Sequence, residues 1–242
     1  MEELRPNGER AKNAILLTWA VFTFEIINLI SSYLQYNLLQ TVANGGYISD
    51  EAANANDLRE QIVGGIYFII YIVFLIMLIM WFRRAYYNLH QRVDTLSFSD
   101  GWAAGAWFVP IISLYRPCRI MKELYVETKE LFREKGLSEK VNYTTKYLGW
   151  WWTLWIISSL LGTFIFRFSR QAEAIDDYMI LTVAQMISNV LGIPLALFTI
   201  KIIKDYAKVE PLLNERTEET ENETNDCSNL PLEETSTYTE TL

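Results

Sequence analysis

The sequence predicts an all-α protein, a polytopic membrane bundle of four transmembrane helices with a short re-entrant or interfacial segment and a cytoplasmic amphipathic helix. Three observations carry this expectation. Apolar residues make up 51% of the 242 residues and gather in blocks. Trp, Tyr and Phe collect at the block edges, as in the aromatic belts of bilayer spans. Lys and Arg fall between the blocks with a strong bias to one side.

The first block, residues 13–33, contains a single charge, Glu25. At 1.5 Å per residue it is long enough to cross a hydrocarbon core of about 30 Å. It is too long for a signal-peptide core, and no small-residue cleavage site follows it. The stretch 34–61 is polar, with Gly45-Gly46 as a turn signal, and Ser49-Asp50-Glu51 offers a cap and an acidic first turn for a new helix. The second span, 62–82, has no charge and ends on Trp81-Phe82-Arg83-Arg84, an aromatic belt followed by a basic stop. The third, 148–166, opens on Trp150-Trp151-Trp152, and the fourth, 179–200, is closed by Lys201 and Lys204.

Residues 101–115 form a fifth apolar run, which is short for a helical span and is broken by Pro110, Gly101 and Gly105. The distribution of charge decides how it is read. If it does not cross, every Lys and Arg shares one side with both termini except Arg59, Arg167 and Arg170. If it crosses, the basic stretch 116–147 is exported. The positive-inside rule therefore predicts four spans, with both termini cytoplasmic. Pro110 frees a backbone carbonyl, which is tolerated at membrane depth only against protein or water, so the segment is expected to plug or line the bundle, with Trp102 and Trp107 fixing its depth.

Behind it, residues 117–135 read as an amphipathic helix, with Pro117 at its start and Gly136 at its stop. Ile120, Met121, Leu124, Tyr125, Leu131 and Phe132 form its apolar stripe, and Lys122, Glu123, Lys129, Glu130 and Arg133 fall away from it. The charged face mixes signs, which favours packing on the ends of the spans over a purely electrostatic lipid anchor. The expected organisation is a cytoplasmic N-terminus at 1–12, a membrane domain at 13–205 and a disordered acidic tail at 206–242. Between 205 and 242, 11 acidic residues face only Lys208 and Arg216, so the net charge of −8 belongs to the tail.

Little in the sequence carries catalytic chemistry. Cys118 and Cys227 lack metal or redox spacing, and His90 is the single histidine. No nucleotide, hydrolase or metalloprotease motif occurs, no cofactor is called for, and the basic residues follow topology, so nucleic acid is not an expected partner. The polar residues within the spans are a different matter. Glu25 needs a partner or a proton at such depth, and Asn28 one turn on, with Gln185, Ser188 and Asn189 in the last span, are the expected partners. This set is the candidate intramembrane site, either interhelical glue or a proton- or substrate-binding carboxylate. Ser158 with Gly162, and Ser159 with Thr163, read as small residues that allow close helix packing.

The stretch WFRRAYYNLHQRVDTLSFSDGWAAGAWFVPIISLYRPCRIMKELY, residues 81–125, resembles a bacterial membrane family catalogued as domain of unknown function 4328. The matching residues are Arg84, Ala85, Asn88 and Leu89, then Gly101, Trp102, Ala103, Trp107, Phe108 and Pro110, then Pro117, Glu123 and Leu124. The resemblance covers roughly residues 60–205. It implies a bacterial cytoplasmic membrane protein of no assigned activity, and the joining of some members to cytoplasmic Ser/Thr kinase domains implies a sensory or scaffolding role. The expectation is thus a non-enzymatic sensory, scaffolding or regulatory module. Its expected partners are the lipid bilayer and a protein on the cytoplasmic face, with homo-oligomers allowed. The alternative is a small transporter or channel built on Glu25 and the polar face of the last span.

Overall fold

The computed structural model of the protein describes residues 4–136, 139, 141 and 143–213. Six α-helices follow in order: α1 (Gly8–Ala43), α2 (Asp50–His90), α3 (Trp102–Gly105), α4 (Arg116–Glu134), α5 (Lys146–Phe168) and α6 (Ile175–Val209). A single 3-10 turn, Ile112–Leu114, lies between α3 and α4. No strand occurs among the described residues.

Four helices, α1, α2, α5 and α6, are long and apolar enough to cross a membrane. The most apolar stretch of α2 has a mean hydropathy of 2.9, yet only 11% of it is buried. Phe68 and Ile69 on α2, Leu16 on α1 and Leu160 on α5 stand exposed. A soluble chain would have to cover so much apolar surface with protein; here lipid does so, and the chain is a membrane protein.

The helices overrun the apolar blocks. At 36 residues α1 is about 54 Å long, well past the hydrocarbon core. Nothing in residues 34–43 breaks the helix, so it continues to Ala43 and turns at Gly45, whose φ of +76° suits glycine. The expected cap forms, with Ser49 Oγ accepting from the Ala52 amide at 3.2 Å.

The long helices lie in the order α5, α6, α1, α2, each packed on the next. Between α2 and α5, the two ends of this row, direct packing is slight. Asn7, just before α1, donates to Glu210, just after α6, at 3.0 Å. Both ends of the described chain therefore meet at one end of the bundle, as four crossings require.

Residues 101–115 do not form a crossing helix. Four residues of α3, a series of turns and the 3-10 turn fold against this same end. Helix α4 lies there too. Its buried residues, Pro117, Ile120, Met121, Leu124, Tyr125, Thr128 and Phe132, follow the expected stripe and pack on α2, α5 and α6. Helix α6 continues past residue 205 to Val209, and Tyr206, Val209 and Leu213 are all buried. Most of the expected tail, from 214 on, lies outside the described residues.

Candidate functional site

Midway along the four spans a cavity of about 270 Å³ opens among all of them. Glu25 reaches it from α1, Tyr67 and Tyr71 from α2, Trp155, Ser158 and Gly162 from α5, and Ser188 and Gly192 from α6. Each lies within a few residues of the middle of its apolar block. Glu25 is buried and accepts a hydrogen bond from the Tyr67 hydroxyl at 2.7 Å. A phenol at this depth gives the carboxyl group one strong partner without adding a second charge. Gly192 is what makes room: a Cβ there would overlap the Glu25 carboxyl group.

The structure gathers some of the expected polar residues and separates others. Ser188 shares the cavity with Glu25. Asn28 turns back onto its own helix and donates to the Phe24 carbonyl at 2.8 Å. Gln185 donates to Asn189 at 3.0 Å, and neither lines the cavity. The buried Asn189 amide nitrogen has no hydrogen-bond partner among the described residues. Tyr67, the residue that holds Glu25, was not among the expected partners. Gly162 does not bring helices together, for nothing lies within 4 Å of where its Cβ would sit, whereas the Ser158 hydroxyl oxygen beside it is buried. Both line the cavity.

Toward the end of the bundle that carries α4 the cavity closes. Thr18, Val21, Phe74 and Ala196 come together around a remaining space of about 20 Å³, room for little more than one water. Beyond them sits an aromatic plug. Trp81 and Tyr206 meet edge to face at 6.3 Å, Trp151 donates to Thr199 at 3.0 Å, and Tyr125 of α4 donates to the Ile202 carbonyl at 2.6 Å.

The packing of residues 81–125 is built around this plug. Trp107 stands edge to face with Phe82 of α2 at 6.4 Å and with Trp155 of α5 at 5.2 Å, and donates its indole N–H to the Ala103 carbonyl at 3.0 Å. Gly101 precedes α3, and its carbonyl accepts from the Gly105 amide at 2.9 Å. The Arg116 guanidinium lies 4.2 Å above the Trp102 ring. Pro110 precedes Ile111, whose φ of +66° is strained for a β-branched residue. Pro117 starts α4 without a missing hydrogen bond. Glu123, expected on the charged face, is half-buried and accepts from Tyr86 at 2.6 Å and from the Ser97 amide at 2.7 Å. It ties α4 to α2.

Asn88 anchors the two chain ends. It donates to Glu210 at 2.7 Å and to the Arg5 carbonyl at 2.9 Å, and accepts from the Arg5 amide at 3.1 Å. Burial pushes the Glu210 carboxyl above its usual range, against the pull of the hydrogen bonds from Asn88 and Asn7. Arg84 is half-buried one turn before Asn88, close enough for its charge to favour ionised Glu210.

Trp155 belongs to both places, lining the Glu25 cavity and packing on Trp107. The cavity and the 101–115 segment are thus joined through one side chain.

A family model described as "Domain of unknown function (DUF4328)" matches residues 44–208. No curated protein and no solved structure matches the chain.

Proposed function

The chain belongs to the family described as Domain of unknown function (DUF4328), and from that premise we propose that it is a non-enzymatic membrane module that senses a molecule at the Glu25 cavity and reports it on its cytoplasmic face. The observation that carries this reading is the position of Trp155 between the cavity and Trp107. Occupation of the cavity would press on Trp155, and Trp107 would pass the displacement to the 101–115 segment and α4. The plug favours signalling over transport, because the space beside Glu25 narrows to about 20 Å³ before it reaches the α4 end.

The α4 end faces the cytoplasm in this reading. Arg5, Arg10, Lys12, Arg83, Arg84, Arg116 and Arg119 all lie at that end, against Arg59, Arg167 and Arg170 at the other. The membrane is then the bacterial cytoplasmic membrane, and a protein partner would meet the mixed-charge face of α4 around Lys122, Lys129 and Arg133.

Two measurements on protein in liposomes test the reading together: proton and alkali-cation flux, and hydrogen exchange over residues 97–134. The expected result is no flux, with altered exchange at 101–115 on Glu25→Gln or Trp155→Phe. Flux that depends on Glu25 would overturn the proposal in favour of a small transporter or channel.

A further inference from the structure

We propose that the Glu25 cavity takes the head of a neutral, hydroxyl-bearing, single-chain amphiphile that arrives from the bilayer through the seam between α2 and α5. The inference rests on the sensory reading of this cavity and names the chemistry of what it senses.

The seam provides the path. Helix α2 packs on α1 and α5 packs on α6, but α2 and α5 barely touch. On α5, Ser159 and Gly162 are exposed at its edge, and both line the cavity. A molecule dissolved in the bilayer reaches Glu25 without crossing the plug.

The hydroxyl groups of α5 indicate the head chemistry. Thr153, Ser159 and Thr163 each donate to the carbonyl four residues back, at 2.9, 2.8 and 2.8 Å. Hydroxyls so engaged are spoken for by their own helix. Ser158 makes no such bond, although its oxygen is buried beside the cavity. A buried, unpaired hydroxyl calls for a partner. Tyr67 supplies the single hydrogen bond that Glu25 receives among the described residues. A ligand hydroxyl can donate to the carboxyl group and accept from Ser158.

Charge and size narrow the class. No Lys or Arg lines the cavity among the described residues, so a carboxylate or phosphate head would meet Glu25 with nothing to neutralise it. An ammonium head would have to shed its proton or carry its charge through hydrocarbon, and either is costly. A neutral polyol head carries neither cost. A volume of about 270 Å³ lies below the ~300–1,000 Å³ of drug-sized pockets, enough for a glycerol-sized head and a few methylenes. Trp155 and Leu195 offer apolar surface to those methylenes, and the remaining chain stays in lipid.

The test is photo-crosslinking in nanodiscs with a diazirine-bearing monoacylglycerol, run beside the fatty acid and fatty amine of the same chain length. The expected result is labelling of residues 64–71 and 155–162 by the monoacylglycerol, several-fold above both other probes. Gly162→Leu should reduce it several-fold by filling the mouth of the seam, and Ser158→Ala should weaken it, with the thermal melt of each variant unchanged. Stronger labelling by the amine would overturn the neutral head. Equal labelling by all three probes, indifferent to Gly162→Leu, would mark ordinary lipid contact and overturn the inference. Absence of labelling at the seam would overturn it too. The sensory reading stands or falls separately, on flux and on exchange at 101–115.

Discussion

The indole rings of Trp107 and Trp155 lie 5.2 Å apart at 71°, an edge-to-face contact between the 101–115 segment and the wall of the Glu25 cavity. Trp107 also meets Phe82 and Trp152, so one side chain holds the irregular segment to two spans. Trp107→Ala removes all three ring contacts and is expected to destabilise the protein by about 3–5 kcal/mol. A fall in the detergent melting temperature, with loss of exchange protection confined at first to 101–115, checks it. Trp155→Phe keeps a ring in place and should cost less.

Two glycines that look alike in sequence should respond oppositely to alanine. Gly192→Ala drives a methyl group into the Glu25 carboxyl, and overpacking of this kind costs about 1–3 kcal/mol. Gly162→Ala meets open space and should be neutral or gain up to about 1 kcal/mol of helix propensity. Parallel thermal melts decide; equal effects would mean that the close approach of Gly192 to Glu25 is absent in the membrane.

Tyr86→Phe deletes the hydroxyl that donates to Glu123 at 2.6 Å. A hydrogen bond to a charged group contributes about 1.5–3 kcal/mol, and the Ser97 amide keeps Glu123 partly satisfied, so the lower half of that range is expected. Increased proteolysis between α3 and α4 would report the loosening, and an unchanged protease pattern would count against a tie between α2 and α4.

The junction of the chain ends should weaken as pH rises. Burial raises the Glu210 carboxyl above its unfolded value, so its favourable contribution is full at acid pH and is lost as pH climbs through the raised value. Glu210→Gln cannot ionise and should flatten this part of the melting-temperature profile. A profile identical in the variant would assign the pH dependence to another group.

Cys118 on α4 reports which way the bundle faces. In a Cys227→Ser background an impermeant thiol reagent should leave it unlabelled in intact cells and label it in inverted vesicles. Burial raises the thiol above its usual range, so labelling there should be slow and should speed up toward alkaline pH. Efficient labelling from outside would reverse the orientation.

Much of this architecture was legible in residue order because it follows from local rules. An uncharged block such as 62–82 must be a helix in lipid, since every backbone group has to find a partner within its own segment. The Ser49 cap, the stop at Gly136 and the apolar stripe of α4 depend on neighbours a few residues away, and each formed where the sequence placed it. Glu25 stood out for the same reason, as a lone charge in a span. Its partner did not, because a tyrosine in a span reads first as an interfacial anchor. Tyr67 lies 42 residues from Glu25, and only the rotation of α2 against α1 brings the two together.

The sequence by itself determined four apolar helices, an interrupted fifth segment and an amphipathic sixth element, because hydrophobic length and helix periodicity are properties of short stretches. Tertiary structure alone decided that Ser158 and Gly162 line a cavity instead of a helix contact, that Asn28 and Gln185 turn away from Glu25, and that Trp155 joins the cavity to Trp107. Those outcomes depend on the rotation and separation of whole helices, which many weak contacts fix together and no single stretch of sequence encodes.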